Sequence, residues 1–192
     1  MAVSTVRGGF DMRTLIVVDM QKDFIDGALG SKEAAKIVSN VVRKIKKYVK
    51  NGDKVIFTQD THKKNYMSTR EGKYLPVPHC IKDTDGWTIP EKIRKAAPED
   101  ALVIEKPSFG YTGWKKLLKE DTDPIELIGL CTDICVVSNA LTIKNLFPER
   151  DILVDASCCA GVSPASHDGA LLTMKCCQVD ILNEGKEPWR ES

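Results

Sequence analysis

Short apolar runs alternate along this chain with stretches whose apolar residues recur at helical spacing. Thr14 to Val18 (TLIVV) is continuously apolar and stops at Asp19, the pattern of a strand buried on both faces that emerges at a sheet's carboxyl edge. From Glu33 to Lys50 the positions Ala34, Ile37, Val38, Val41, Ile45 and Val49 recur at three and four, with lysines on the other face. That spacing predicts an amphipathic helix, stopped by Asn51 and Gly52. Lys54 to Thr58 (KVIFT) predicts a second strand ending at Gln59 and Asp60. Asp60 to Asp85 has no sustained period, and so long a loop in a compact chain is more often functional than not.

Pro90 to Ala97 then predicts a short helix, Ala101 to Glu105 a strand ending at Lys106, and Thr112 to Glu120 a helix. Pro124 to Gly129 (PIELIG) is a further strand, and Val136 to Leu146 carries helical spacing. Asp151 to Val154 is a strand, Pro164 to Cys176 a helix with Ser163 as N-cap, and Val179 to Leu182 a last strand. The charged tail after Asn183 is expected to be loose. Parallel neighbours need crossover connections, so the alternation predicts an α/β three-layer sandwich. Its centre is a mostly parallel six-stranded sheet with helices on both faces. We expect one domain over residues 1–192, its core spanning about 13–183, since 42% hydrophobic content can bury one good core.

Charge changes the picture by exclusion. Lys and Arg total 28 against 27 Asp and Glu, a formal net charge of +1, so neither nucleic acid nor an anionic membrane is favoured as a partner. A small molecule is the expected partner. The first residues lack the apolar core of a secretory signal and no run approaches a membrane span, which points to the cytoplasm. Seven cysteines, with adjacent pairs at Cys158–Cys159 and Cys176–Cys177 and no CxxC, argue against a disulfide framework and a thiolate zinc site.

The strand ends carry the chemistry, because in such a sheet the ligand site lies outside the carboxyl ends. They deliver Asp19, Asp60 and Lys106, and Cys135 follows the fourth strand within GLCTDICVVSNA. A thiol where a strand turns into a helix is expected to have a lowered pKa and to lie near free backbone N–H groups. A carboxylate near it can take its proton, and an ammonium can keep that carboxylate ionised. The long loop adds Asp60, His62, Glu71 and His79, oxygen and nitrogen donors that suit zinc, iron or manganese. The ordinary readings are a buried structural Cys135 and surface histidines. His167 is expected to be exposed, Cys80 to be packing, and Cys158 to Ala160 to lie near the sheet edge.

The motifs VDMQKDF (Val18 to Phe24), TQDTH (Thr58 to His62), PHC (Pro78 to Cys80), EKPSFG (Glu105 to Gly110) and GLCTDICV (Gly129 to Val136) stand in one order over most of the chain. In these it resembles the nicotinamidases of the isochorismatase-like cysteine hydrolases. The resemblance implies that Asp19, Lys106 and Cys135 are catalytic, with Cys135 the nucleophile, and that Leu130–Cys131 is a cis peptide. It implies an oxyanion hole from the N–H groups of Cys131 and Cys135. One divalent ion, zinc first with iron or manganese as alternatives, would be held by Asp60, His62 and His79. Glu71 is the fourth ligand by placement, with Ser68 or water in competition. The implied substrate is nicotinamide or a close analogue, hydrolysed through a thioester, with Phe24, Phe109 and Cys131 lining its pocket. Relatives tend to carry an aromatic just before His79, where this chain has Leu75, Pro76 and Val77, so Tyr74 is expected to serve instead, with Leu75 also among the substrate-binding residues. A homo-oligomer is in keeping with the resemblance. The alternatives are an amidohydrolase acting on another small amide without metal-directed binding, and a catalytically silent binding protein.

Overall fold

The computed structural model describes residues 13–119 and 123–190. The chain runs β1 (Thr14–Val18), α1 (Lys22–Ile25), α2 (Lys32–Asn51), β2 (Lys54–Asp60), a 3₁₀ turn (Tyr66–Ser68), α3 (Arg70–Tyr74), α4 (Glu91–Arg94) and β3 (Leu102–Lys106). It continues through α5 (Trp114–Leu118), β4 (Ile125–Leu130), a π-helical turn (Thr132–Val136), α6 (Val137–Leu146), β5 (Ile152–Ala160), α7 (Pro164–Cys176) and β6 (Asp180–Leu182). The six strands form one sheet in the order β3-β2-β1-β4-β5-β6, and every pairing is parallel. From β1 the chain builds outward through β2 and β3, then returns to the other side of β1 with β4. The order therefore reverses between β1 and β4, and a crevice opens at their carboxyl ends.

Alternation along β1 shows why its run is apolar throughout. Leu15 and Val17 join one core with Ile37, Val41 and Ile45 of α2, whereas Ile16 and Val18 join the other with Trp114, Ile143 and Leu171. Helix α2 starts where the Ser31 side chain accepts the Ala34 N–H at 3.0 Å, and ends at Gly52, whose φ of +80° closes the last turn. Its buried stripe ends on Tyr48 rather than Val49, because Tyr48 Oη donates to the buried Glu126 at 2.5 Å. Ser163 caps α7 as the sequence predicts.

Several expectations are corrected. The segment after Asp60 carries the 3₁₀ turn, α3 and a parallel bridge between His62 and Ile81. These are too short to show a period. Helix α1 was not anticipated for the same reason. The helix expected over Thr112 to Glu120 is observed as Trp114–Leu118, residue 120 lying outside the described residues. Strand β5 continues to Ala160, but β6 pairs only with Leu153 to Asp155, so Cys158 and Cys159 lie beyond it near the sheet's carboxyl edge, buried on opposite faces. The tail after Asn183 is anchored. Glu187 is fully buried, and Trp189 Nε1 donates to the Cys159 carbonyl at 3.2 Å. The buried Glu187 carboxylate is held by His167 and Arg190 rather than by solvent. Among the described residues no helix is long and apolar enough to cross a membrane.

Candidate active site

The strand tips meet at the crevice between β1 and β4. Lys106, the last residue of β3, is fully buried, and its Nζ lies 2.7 Å from Asp19 Oδ2, 3.4 Å from Asp60 Oδ1 and 3.5 Å from Cys135 Sγ. It also donates to the Ser108 carbonyl at 2.9 Å. Asp19 is fully buried too, accepts from Thr58 Oγ1 at 2.6 Å, and lies close enough to the Cys135 thiol to raise its proton affinity. The Lys106 ammonium thus touches both the carboxylate and the thiol, and all three groups are closed off from bulk water.

Burial governs the proton affinities. It pushes the Asp19 carboxyl up, opposed by the charge of Lys106. It also drives the Cys135 thiol well above its ordinary value, reinforced by Asp19 and opposed by Lys106. The lowered thiol pKa expected from a helix N-terminus is therefore overturned. Cys135 sits inside the π-helical turn ahead of α6, where desolvation of the anion outweighs backbone dipoles. The peptide between Leu130 and Cys131 is cis, as the resemblance implies. Just before it, Gly129 adopts φ +121°, and a Cβ there would lie 2.1 Å from the Val18 carbonyl oxygen. Only glycine lets β4 approach β1 this closely at the crevice.

Asp60 belongs to a second group. Its Oδ2 lies 2.9 Å from His62 Nε2 and 3.7 Å from His79 Nε2, and Glu71 Oε1 lies 3.6 Å and 3.7 Å from the same two nitrogens. One ligand atom from each of Asp60, His62, Glu71 and His79 falls within 4.8 Å of every other. His62 Nε2 is buried with no hydrogen bond satisfying it, and His79 Nδ1 is fixed from behind at 2.9 Å from the Val77 carbonyl. Burial pushes Glu71 up, and the neighbouring Asp60 charge adds to this against the two histidines. Crowded carboxylates, an unsatisfied imidazole nitrogen and a converging set of oxygen and nitrogen donors fit a divalent transition-metal ion. Ser68 lies on the exposed face of its turn, whereas Glu71 reaches into the group. Cys80 packs in the core and stays outside it.

A cavity of about 350 Å³ opens onto both groups, its wall including Phe24, Leu75, Phe109, Cys131 and Cys135. Phe24 is buried against His79 with ring centroids 5.4 Å apart. Tyr74 is not part of this wall. It is 76% exposed, lies beneath the Arg70 guanidinium at 5.0 Å, and borders a shallower outer recess, because α3 turns it outward while Leu75 turns in.

Some residues that build the site carry no reactive group and were passed over in the sequence. Gln21 grips the end of β2 through both backbone groups of Asp60, accepting from its N–H at 2.7 Å and donating to its carbonyl at 2.9 Å. Asn139 donates to the Cys135 carbonyl at 2.8 Å and to Phe109 at 3.1 Å, tying the thiol's turn to the loop after β3. Tyr66 packs edge-on against His62 and His79. Gln21 lies inside VDMQKDF and Asn139 inside GLCTDICVVSNA, so the motifs held the only signal for them. His167 contradicts its expected exposure. It is fully buried, with Nδ1 2.8 Å from Thr132 Oγ1 and Nε2 3.2 Å from Glu187 Oε1, and burial pushes its pKa down.

Comparison with known proteins returns the isochorismatase domain over residues 13–183. A pyrazinamidase of Pyrococcus horikoshii, solved in complex with zinc, is 30% identical with a TM-score of 0.76, over 88% of this chain and 98% of that one. A nicotinamidase of Schizosaccharomyces pombe is 25% identical over 93% of this chain and 96% of its own length. An N-carbamoylsarcosine amidase of Thermoplasma acidophilum is 25% identical with a TM-score of 0.72, over 89% of this chain and 95% of that one.

Proposed function

This chain belongs to the isochorismatase family of hydrolases, and from that premise we propose that it is a metal-dependent nicotinamidase, converting nicotinamide to nicotinate and ammonia. One observation carries the reading: Asp60 belongs to both groups, Oδ1 facing Lys106 at 3.4 Å and Oδ2 facing His62 at 2.9 Å. A divalent ion held by Asp60, His62, Glu71 and His79 would supply a Lewis-acidic position for a ring nitrogen, orienting a pyridine. Phe24, Leu75 and Phe109 supply apolar wall for such a ring.

In the proposed reaction Asp19 takes the proton of the Cys135 thiol as the sulfur attacks the amide carbon. The S–C bond forms while the carbonyl electron pair moves to oxygen, and the N–H groups of Cys131 and Cys135 hold the oxyanion. The C–N bond then breaks. Asp19 returns its proton to the departing nitrogen, ammonia leaves, and a thioester remains. Asp19 next takes a proton from water, whose oxygen attacks the thioester carbon. The C–S bond breaks, Asp19 returns that proton to the departing sulfur, and thiol and carboxylate are both restored as the acid leaves. Lys106 keeps Asp19 ionised until the first transfer and offsets negative charge on sulfur. Because burial disfavours the free thiolate, transfer and attack are coupled.

The relation to an N-carbamoyl amidase and the absence of an aromatic at Leu75, Pro76 and Val77 favour a second reading, hydrolysis of another small amide. The decisive assay measures ammonia release from nicotinamide, pyrazinamide and N-carbamoyl amino acids by zinc-reconstituted protein, with Cys135→Ala and His62→Ala alongside. Release from nicotinamide that disappears in Cys135→Ala and collapses in His62→Ala is expected. Full activity of His62→Ala removes metal-directed binding. Equal rates for Cys135→Ala and wild type remove the nucleophile.

A further inference from the structure

The turn that carries Cys131 and Cys135 is held by groups the proposed reaction does not use. Thr132 contacts α7, and Asp133 contacts the loop that precedes it. Asp133 accepts the Val162 N–H at 3.1 Å. Gly161 passes so close that a Cβ would lie 3.0 Å from the His167 backbone nitrogen and 3.1 Å from Asp133 Oδ1. Thr132 Oγ1 meets His167 Nδ1 at 2.8 Å, and His167 Nε2 meets Glu187 Oε1 at 3.2 Å. All three residues are fully buried.

The protons in this chain can be assigned from chemistry. An ionised Glu187 only accepts, so Nε2 carries the ring hydrogen and Nδ1 must accept from the Thr132 hydroxyl. Glu187 is itself fixed by the Gly185 N–H at 3.2 Å and by Arg190, which also pairs with Asp168 of α7. Trp189 stands edge-on to the His167 ring at a centroid distance of 5.1 Å. A carboxylate, an imidazole and a hydroxyl thus run in line from the C-terminal segment to the residue following the Leu130–Cys131 peptide. The Cys131 carbonyl accepts from Ile134 and Val136, so a shift of Thr132 moves the whole turn.

We infer that His167 is a positioning residue for hydrolysis: clamped by Glu187, it fixes Thr132 and so holds the backbone N–H groups of Cys131 and Cys135 in place for the oxyanion. The C-terminal segment is then part of the active-site support. The inference rests on the oxyanion role given to those N–H groups in the proposed function. Misplacement of about 1 Å far from the reacting atoms can cost a hundredfold in rate, so a loosened turn acts on kcat more than on binding.

The test compares two pairs of variants. Asn at position 167 keeps an acceptor near the place of Nδ1 and can still meet Thr132, whereas Gln reaches toward Glu187 and leaves Thr132 unpaired. Thr132→Ser keeps the hydroxyl and Thr132→Val removes it at equal size. We expect kcat to fall tenfold to a hundredfold in H167Q and T132V with KM changed less than threefold, and H167N and T132S to recover most of it. Wild-type kcat in T132V and H167Q overturns the inference, as does a loss in all four that follows their melting temperatures. Should the His167 variants fail to fold, the Thr132 pair decides alone by the same split. Rates are taken on whichever amide the wild type hydrolyses. Failure on nicotinamide alone removes that substrate and leaves this inference standing, whereas hydrolysis of no amide removes both.

Discussion

Replacing Lys106 with Met removes the one cation between Asp19, Asp60 and Cys135 while keeping an unbranched apolar stem of similar length. Asp19 keeps its hydrogen bond from Thr58 but loses the ammonium 2.7 Å away, with no solvent to replace it. Breaking a buried pair by removing one partner typically costs about 3–5 kcal/mol. A carboxylate stranded in this way escapes by taking up a proton. With an unfolded value of about 3.9, that escape costs about 4 kcal/mol at pH 7 and about 1 kcal/mol at pH 4.5, at 1.36 kcal/mol per unit. The sign follows from proton counts. Asp19 in folded Lys106→Met binds a proton that the unfolded chain has released, so the variant loses stability as pH rises above the unfolded value. Urea unfolding of metal-free wild type and variant between pH 4.5 and 7 should therefore show a deficit that widens toward neutrality by up to about 1.4 kcal/mol per unit, at unchanged m. Asp19→Asn added to Lys106→Met should recover most of the loss, since the stranded charge is gone. Ammonia release should fall at least a hundredfold in the single variant because a protonated Asp19 cannot accept the thiol proton. A deficit that does not change with pH, or losses in the double variant equal to the sum of the singles, would refute the reasoning.

Zinc at a hundred times its dissociation constant should stabilise the wild type by about 2.7 kcal/mol, seen as a raised melting temperature that chelation reverses. His62→Ala should abolish most of that shift, and metal analysis should give one ion per wild-type chain. Gly129→Ala should destabilise by about 3 kcal/mol or more, because its φ of +121° is hostile to a side chain and the new Cβ would lie 2.1 Å from the Val18 carbonyl oxygen; urea unfolding within 1 kcal/mol of wild type would contradict this. Lys44→Met tests the buried network beneath α2, where Lys44 Nζ lies 2.6 Å from both Glu126 and Asp155. Burial pushes the Asp155 carboxyl up, but hydrogen bonds from Lys44 and Ser157 overcome it and leave it below its ordinary value. A depressed carboxyl stabilises the fold above its unfolded value of about 3.9 and loses that contribution as pH falls toward its folded value. The gap in melting temperature between wild type and Lys44→Met should accordingly narrow below about pH 4.

The sheet was legible because its central strands are buried on both faces. After Thr14 the run LIVV has no polar position to obscure it, and its end at Asp19 marks the carboxyl end of the strand. Parallel order followed from the helices between strands, and the reversal between β1 and β4 locates the crevice without any side-chain detail. What stayed hidden was decided by tertiary contacts. The tail after Asn183 is charged, which predicts a loose segment, but Glu187 is buried because Arg190 and His167 satisfy it, and no local pattern encodes the contact with His167. His167 lies in the first turn of α7, where position alone favours exposure. The buried hydroxyl of Thr132, distant in sequence, gives it a reason to turn inward.

The protonation state of Cys135 shows the limit of local reasoning most clearly. From the strand-to-helix transition alone, dipoles and free N–H groups favour the thiolate. The fold instead closes the sulfur away from water beside the Asp19 carboxylate, and burial with that charge prevails over Lys106. This reversal gives the arrangement its chemical sense. A free thiolate beside an ionised Asp19 would place two anions against one ammonium, with Asp60 near the same cation at 3.4 Å. Keeping the proton on sulfur until an electrophile arrives avoids that crowding, and in the proposed reaction it gives Asp19 the task of moving the proton rather than merely balancing a charge. Lys106 then cannot be exchanged for a neutral donor of the same shape, because its charge keeps one of two neighbouring carboxylates able to accept.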